Sequence, residues 1–338
     1  MAEPRTHARF PEVAPEAAHY ESFYLKACRP GGGLGVWIRY TVLKPPGEPA
    51  AGSLWCTLFD AAASGPVATK VTLAPDQLRR PAGGYLAIGA ASFQPGRLGG
   101  AAPGGPAAAA WELRFEPTAP PFDHFPRAWM YGAPLPRTKV HSPYPAVRVH
   151  GDLTVGRRRL RLDGWPGMVG HNWGSEHAER WVWLHGAGFG GHGDGTFLDV
   201  AAGRVRLAGR TTPFVANGVL SLDGVRHRLG GLARPRATRL AERPDGCRFR
   251  LAGRGVTVDG TVQAPRKDLV GWVYADPAGG RHDAVNCSIA TMRMAVRRRG
   301  HALLELESAG GSAYELGMRE RDHGVALQPC PDGPHAPD

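Results

Sequence analysis

Forty-seven glycines and 31 prolines are spread through all 338 residues of this chain. Proline removes a backbone donor and clashes with the preceding helical turn, and each interior glycine costs a helix about 1 kcal/mol. A chain interrupted this often cannot build long helices. Short alternating runs occupy the space instead, at 19–28, 34–43, 53–59, 67–73, 85–93, 109–115 and 146–155. The later ones are 181–189, 196–207, 214–222, 247–251, 256–263, 269–274, 286–296 and 302–307. Turn pairs such as Asp163-Gly164, Asp194-Gly195, Asp223-Gly224 and Asp259-Gly260 separate them. Alternation apolar/polar over four to eight residues, bounded by such pairs, is the signature of half-buried strands. So many short strands predict an all-β protein, and their number is too large for one small barrel. The expected layout is an N-terminal extension at 1–17, one antiparallel barrel at 18–178, a second at 179–326 and a disordered tail at 327–338.

Two further segments read as loops. Residues 94–108 are rich in Gly, Ala and Pro and predict a flexible surface excursion. Residues 117–144 are rich in proline yet carry Phe122, His124, Phe125, Trp129 and Tyr131. A flexible linker is seldom so aromatic, so this one is expected to pack over something.

The formal charge of +11 raises the question of a nucleic-acid partner. Only five of the 41 basic residues are lysine, and the remainder are arginine. Together with abundant Gly, Pro and Ala, this reads as coding bias. The clusters Arg157-Arg158-Arg159 and Arg297-Arg298-Arg299 lack interleaved aromatics that bases could stack on. No nucleic acid is expected. Five scattered cysteines form no CxxC pair, which argues against a zinc ribbon or a disulfide framework. Cys28, Cys56 and Cys287 lie in apolar runs and read as buried free thiols. No signal peptide and no 18-residue apolar run is evident, so a cytoplasmic protein is expected. The sequence leaves monomer and homodimer open.

Chemistry concentrates between Gly170 and Phe189. This run holds three His, three Trp, one Asn and two Glu in twenty residues. Core strands do not need that mixture; a lined cavity with acid/base groups does. In a strand across Arg180 to His185, Trp181, Trp183 and His185 share one face. The preceding His171 to His177 reads as a turn through Gly174, presenting His171, Asn172, Trp173, Glu176 and His177. A carboxylate beside imidazoles is a usable acid/base set. No metal is expected, because these histidines have neither HExxH nor another ligand spacing. Elsewhere, Glu21 and Arg39 are candidates for an inward ion pair or a solvent-facing cross-strand pair. Asn286 and Ser288 share one face, and Trp272, Tyr274 and Asp276 share another; inside a barrel they would orient a ligand. Neither a GK[ST] ending nor GxSxG appears, so nucleotide binding and hydrolase chemistry are not supported.

Asn172-Trp173-Gly174 followed by Trp181-Val182-Trp183 resembles the tandem-lipocalin superfamily of tocopherol cyclases, carotenoid 1,2-hydratases and Diels–Alderases. The similarity extends over about residues 20–325. It implies two lipocalin-like barrels and an activity on polyenes, prenyl chains or polyketides without metal or nucleotide cofactor. Tocopherol cyclases carry Lys before the NWG and Gln after the WxW, where this chain has His171 and His185. The expected function is a cofactor-independent cyclase, isomerase or hydratase of a hydrophobic terpenoid or polyketide. Its expected site has His171 or Glu176 as proton donor, with His177 and His185 positioning or accepting a proton. Trp173, Trp181, Trp183 and Trp272 shape the pocket, and Asn172 and Asn286 orient the ligand. The alternative is a carrier that binds an apolar ligand without chemistry.

Overall fold

The computed structural model describes residues 6–103, 107–207, 209–231 and 238–329. Most of the expected tail, at 330–338, lies outside them. Every pairing between named strands is antiparallel, and the strands form two barrel-shaped sheets with a two-stranded ribbon, Arg206–Leu207 and Arg210–Thr211. The first sheet has 12 strands between His19 and Gly174 and is nearly closed. Its edges are Val67–Leu73 and Leu78–Arg79. The second has 10 strands between Arg180 and Met318. It closes where Leu229 pairs with Gly253. Among the described residues, no helix is long and apolar enough to cross a membrane.

Side-chain parity explains how the barrels meet. Antiparallel strands with one wet face alternate buried and exposed. Ala109–Pro117 does so almost perfectly. His19–Cys28 does not: all ten of its residues are buried. Phe23, Leu25 and Ala27 point into the first barrel's core with Ile38, Tyr40 and Leu54. The other face turns to the second barrel, where Tyr20 stacks on His177 and Tyr24 meets Trp183 edge-on. Leu34–Lys44 and Ala51–Asp60 repeat the pattern. Their outward Trp37, Trp55 and Phe59 join the second barrel's core cluster. Trp55 packs edge-on against Trp272 with centroids 4.8 Å apart. Such aromatic pairs contribute about 0.5–1.5 kcal/mol beyond the area they bury.

Two sequence expectations are corrected. Residues 94–108 contain a strand, Arg97–Ala102, paired with Ala91–Gln94 and Ala109–Pro117. Its glycines serve packing rather than flexibility. A Cβ on Gly100 would lie 2.6 Å from the Cβ of Ala91 and 3.1 Å from the Tyr40 hydroxyl. Nor is there a turn through Gly174. The strand Arg158–Gly174 carries His171, Asn172 and Trp173 to its end, and the chain leaves it at Ser175. Gly174 is pressed against its neighbour strand, since a Cβ there would meet the Arg137 carbonyl oxygen at 2.0 Å. The aromatic segment 117–144 does pack over something: Tyr131 stacks on Trp173 with centroids 5.8 Å apart. The four described cysteines are free and buried; Cys330 lies outside the described residues.

Candidate functional site

Strand alternation divides the Gly170–Phe189 run between separate environments. His171 and Trp173 point into the first barrel. His171 is sandwiched between Phe23 and Trp173, with centroid distances of 4.0 and 4.4 Å. Its Nε2 lies 2.7 Å from Oε1 of Glu21. Glu21 also accepts the backbone N–H groups of Arg9, at 2.8 and 3.0 Å, and Phe10, at 3.1 Å. Burial opposes its ionisation, yet the hydrogen bond from His171 and the His19 imidazole 3.5 Å away bring the carboxyl down to about 2. Burial keeps the His171 pKa low despite that partner. Its ring is therefore neutral, with Nε2–H donating to Glu21. Glu21 thus has no pairing with Arg39, because the two occupy opposite faces of the sheet: Arg39 stands opposite Tyr24.

Glu176 lies apart from this pair. It forms an ion pair with Arg137 at the surface, where both side chains are exposed to solvent. Asn172 faces the second barrel, and its Oδ1 is buried without a hydrogen-bond partner.

His177 and Trp181 belong to the junction between the barrels. His177 Nδ1 lies 2.9 Å from Asp276 Oδ1. His282 Nδ1 lies 3.2 Å from the other carboxylate oxygen, and Arg319 approaches that oxygen at 3.5 Å. Burial works against ionisation of Asp276, but the two histidines hold it well below the ordinary carboxyl range. Burial also depresses the pKa of His177. Its Nδ1–H therefore donates to Asp276, and Nε2 carries the lone pair. That Nε2 is buried and has no hydrogen-bond partner. Aromatic rings surround it. Tyr20 stacks at 3.9 Å, Trp181 at 5.6 Å, and Tyr274 lies tilted at 6.0 Å. Glu315 ties the cluster together by accepting from Trp181 Nε1 (2.8 Å), Tyr274 (3.2 Å) and Asn286 Nδ2 (3.0 Å).

Trp183 and His185 continue along the same junction. The Nε1 of Trp183 is buried and unpartnered. His185 donates from Nε2 to the Pro145 carbonyl at 3.0 Å. Burial, and next the charge of Lys26, push its pKa down to about 4. Trp272 fills volume between the barrels, fully buried against Trp55. Asp199 stands opposite His185; Ser142 donates to it at 2.5 Å, and His124 lies 3.4 Å from the same carboxylate oxygen.

His177, Asp276 and His282 offer ligand atoms within 4.8 Å of one another, the set that could hold a metal. The two imidazoles already share Asp276, and the Arg319 guanidinium supplies positive charge beside it. A concavity of about 790 Å³ lies elsewhere, on the outer face of the second barrel between Arg248, Arg250, Asp259, Arg293, Glu305 and Glu307. It is an open charged trough bridged by Arg293–Glu307 and Arg250–Asp259 pairs. The inward-facing chemistry is at the junction, which therefore is the candidate site.

Sequence reasoning placed His177, Trp181, Trp183, His185, Trp272 and Asn286 in one site, and all six lie along the junction. It missed Asp276 as the partner of His177, although the shared face of Trp272, Tyr274 and Asp276 was readable. His282 faces Tyr274 across the next hairpin. Tyr20 and Glu315 come from strands distant in sequence, and no local pattern marks them.

No established family profile matches the chain. Two uncharacterized proteins from strains of Mycobacterium tuberculosis are each 29% identical over 325 residues, covering 92% of this chain and 90% of theirs. Among solved structures, an AttH-like protein of Nitrosomonas europaea superposes with a TM-score of 0.57 at 14% identity, covering 94% of this chain and 98% of that one. Kievitone hydratase of Nectria haematococca gives 0.52 at 9% identity, with 90% and 89% covered. CghA, a Diels–Alderase, with Sch210972 gives 0.55 at 11% identity, with 90% and 93% covered. The chain shares their tandem lipocalin-like barrel fold.

Proposed function

We propose that this protein is a cofactor-independent cyclase, isomerase or hydratase of an apolar terpenoid or polyketide, working at the junction of its two barrels. The observation that carries the reading is the buried His177–Asp276 pair, at 2.9 Å, inside an aromatic box. Asp276 fixes the His177 tautomer, so Nε2 is the proton acceptor. When it takes a proton, the imidazolium forms beside a carboxylate already held ionised. This is the geometry a general base needs. The faces of Tyr20, Trp181 and Tyr274 stabilise positive charge that develops on a polyene or prenyl chain. Trp183, Asn286 and Asn172 shape and orient the ligand. In this reading His171 holds the first barrel's end through Glu21, and Glu176 takes no part. Hydratase and Diels–Alderase activities among proteins of the same fold agree with a small-molecule reaction.

The test is turnover of a substrate drawn from an organic extract of the source cells. His177→Ala and Asp276→Asn should each lower kcat by about 10²–10⁴ while leaving the fold intact. Unchanged turnover in both variants overturns the assignment. The second reading is a carrier, favoured by the fact that His171 and His185 are held neutral by burial and already donate to fixed partners. An extracted ligand recovered unchanged after incubation supports it.

A further inference from the structure

The loop between Asp123 and Thr138 turns large apolar side chains toward solvent. Trp129 is 68% exposed and Leu135 is 55% exposed, six residues apart. Residues 125–137 contain no carboxylate, and Arg127 and Arg137 flank the pair. Single exposed apolar residues are ordinary, but these two are held out by a loop braced from inside. The ammonium of buried Lys139 donates to the carbonyls of Met130 and Ala133, at 2.7 and 2.8 Å. The Tyr131 hydroxyl donates to the Val140 carbonyl at 3.0 Å and accepts the Phe125 N–H at 3.3 Å. Arg228 fixes the preceding residues by donating to the His124 carbonyl at 2.8 Å. The inner side of the loop is thus satisfied, while Trp129 and Leu135 meet water.

The loop stands at the His177 end of the barrels. Thr138, where it ends, donates to the Glu176 carbonyl at 2.7 Å and accepts from the Tyr20 hydroxyl at 3.2 Å. The Tyr20 ring lies on His177. Gly174 stands opposite Thr138, and Arg180 stands opposite Arg204. Six residues of chain separate Gly174 from Arg180, which is at most about 22 Å. Just beyond Arg204 comes the ribbon Arg206–Leu207 and Arg210–Thr211, with Arg206 and Arg210 exposed. Among the described residues, Arg127, Arg206 and Arg210 pair with no carboxylate. One end of the molecule therefore combines a braced Trp/Leu tip with free arginines.

A stable protein partner needs a broad apolar patch, and specific interfaces bury above about 1,000 Å². Two apolar side chains among cations are too few for that. They do suit a lipid surface, where a Trp ring sits at the level of the head groups and arginines meet phosphates. The net charge of +11 has the matching sign. We propose that this end of the protein docks on an anionic lipid bilayer. Trp129 and Leu135 enter the interface, and Arg127, Arg206 and Arg210 rest on the phosphates. The purpose of docking rests on the reading that the junction handles an apolar molecule, since it brings the His177 end to the phase in which such a molecule dissolves.

The test is cosedimentation of the full chain, without substrate, with vesicles of phosphatidylcholine alone or of equal parts phosphatidylcholine and phosphatidylglycerol. Binding to the mixed vesicles should be at least about tenfold tighter than to the neutral ones. Trp129→Ser combined with Leu135→Ser should weaken it at least about tenfold. Arg206→Gln combined with Arg210→Gln should remove most of the preference for anionic lipid. All four side chains are exposed, so the variants should keep the wild-type melting temperature. Binding to neither vesicle, or undiminished binding by the Trp129 and Leu135 variant, overturns the proposal. Either result leaves the His177 assignment standing, because no turnover is measured. An unchanged lipid preference in the arginine variant overturns the role of the ribbon. A wild-type dimer in sedimentation velocity that the Trp129 and Leu135 variant dissociates assigns the loop to a second copy, and overturns docking on lipid.

Discussion

The Nδ1 of His177 sits 2.9 Å from Oδ1 of Asp276, although 99 residues separate them. Their side chains are only 9% and 4% exposed, so little water reaches the pair. Asp276→Asn keeps the shape but replaces a fixed acceptor with an amide that also presents a donor. The expected result is a loss of about 10²–10⁴ in kcat with KM little changed, because tautomer and charge stabilisation are lost and substrate contacts are not. Steady-state kinetics on an identified substrate, alongside near-ultraviolet circular dichroism to verify packing, checks this.

Acid should destabilise the fold in two stages. His171, His177 and His185 all have depressed pKa values, with His185 at about 4. Below pH 6.5 the unfolded chain takes up protons that the native chain refuses, so stability declines as pH falls from there. Glu21 acts lower. Its folded value of about 2 lies below its ordinary 4.5, so its contribution is present above pH 4.5 and is lost as pH falls toward 2. That contribution is on the order of 3 kcal/mol. Urea melts from pH 8 to 3 should show the gap between wild type and Glu21→Gln narrowing only below pH 4.5. A gap independent of pH contradicts the buried Glu21–His171 pair.

Trp272→Ala removes the ring that packs on Trp55 between the barrels. Deleting a fully buried Trp costs about 3–5 kcal/mol. Thermal unfolding should shift sharply downward. A loss under about 1 kcal/mol contradicts the packing described.

Glu176→Gln is expected to do little. Its ion pair with Arg137 is exposed, and such pairs contribute about 0–1 kcal/mol. Turnover and melting temperature should stay close to wild type. A large loss of turnover would return Glu176 to the site.

What the sequence disclosed follows from what is local. Alternation over 19–28 and 181–185 reveals strands and which side chains share a face. It cannot say what each face meets. His19–Cys28 is buried on both faces because a second barrel covers it, and no residue within the strand encodes that. The same limit explains His171. Its position in the run suggested a place beside Glu176, but its parity sends it into the first barrel toward Glu21, 150 residues away. Glycines 99, 100 and 174 were read as flexible or turning because composition alone does not distinguish freedom from close approach. The site's tertiary partners, Asp276, Glu315 and Tyr20, required the register of strands far apart in the chain.

The proposed acid/base chemistry of His177 on an apolar molecule at the junction has a direct readout. The most direct measurement is mass spectrometry and chromatography of an organic extract of the source cells, incubated with wild-type protein and with His177→Ala. A hydrophobic component should be converted to an isomer, or to a product 18 mass units heavier, by wild type and not by the variant. Conversion by both proteins alike contradicts the role of His177. A component that binds wild type and returns unchanged contradicts catalysis itself.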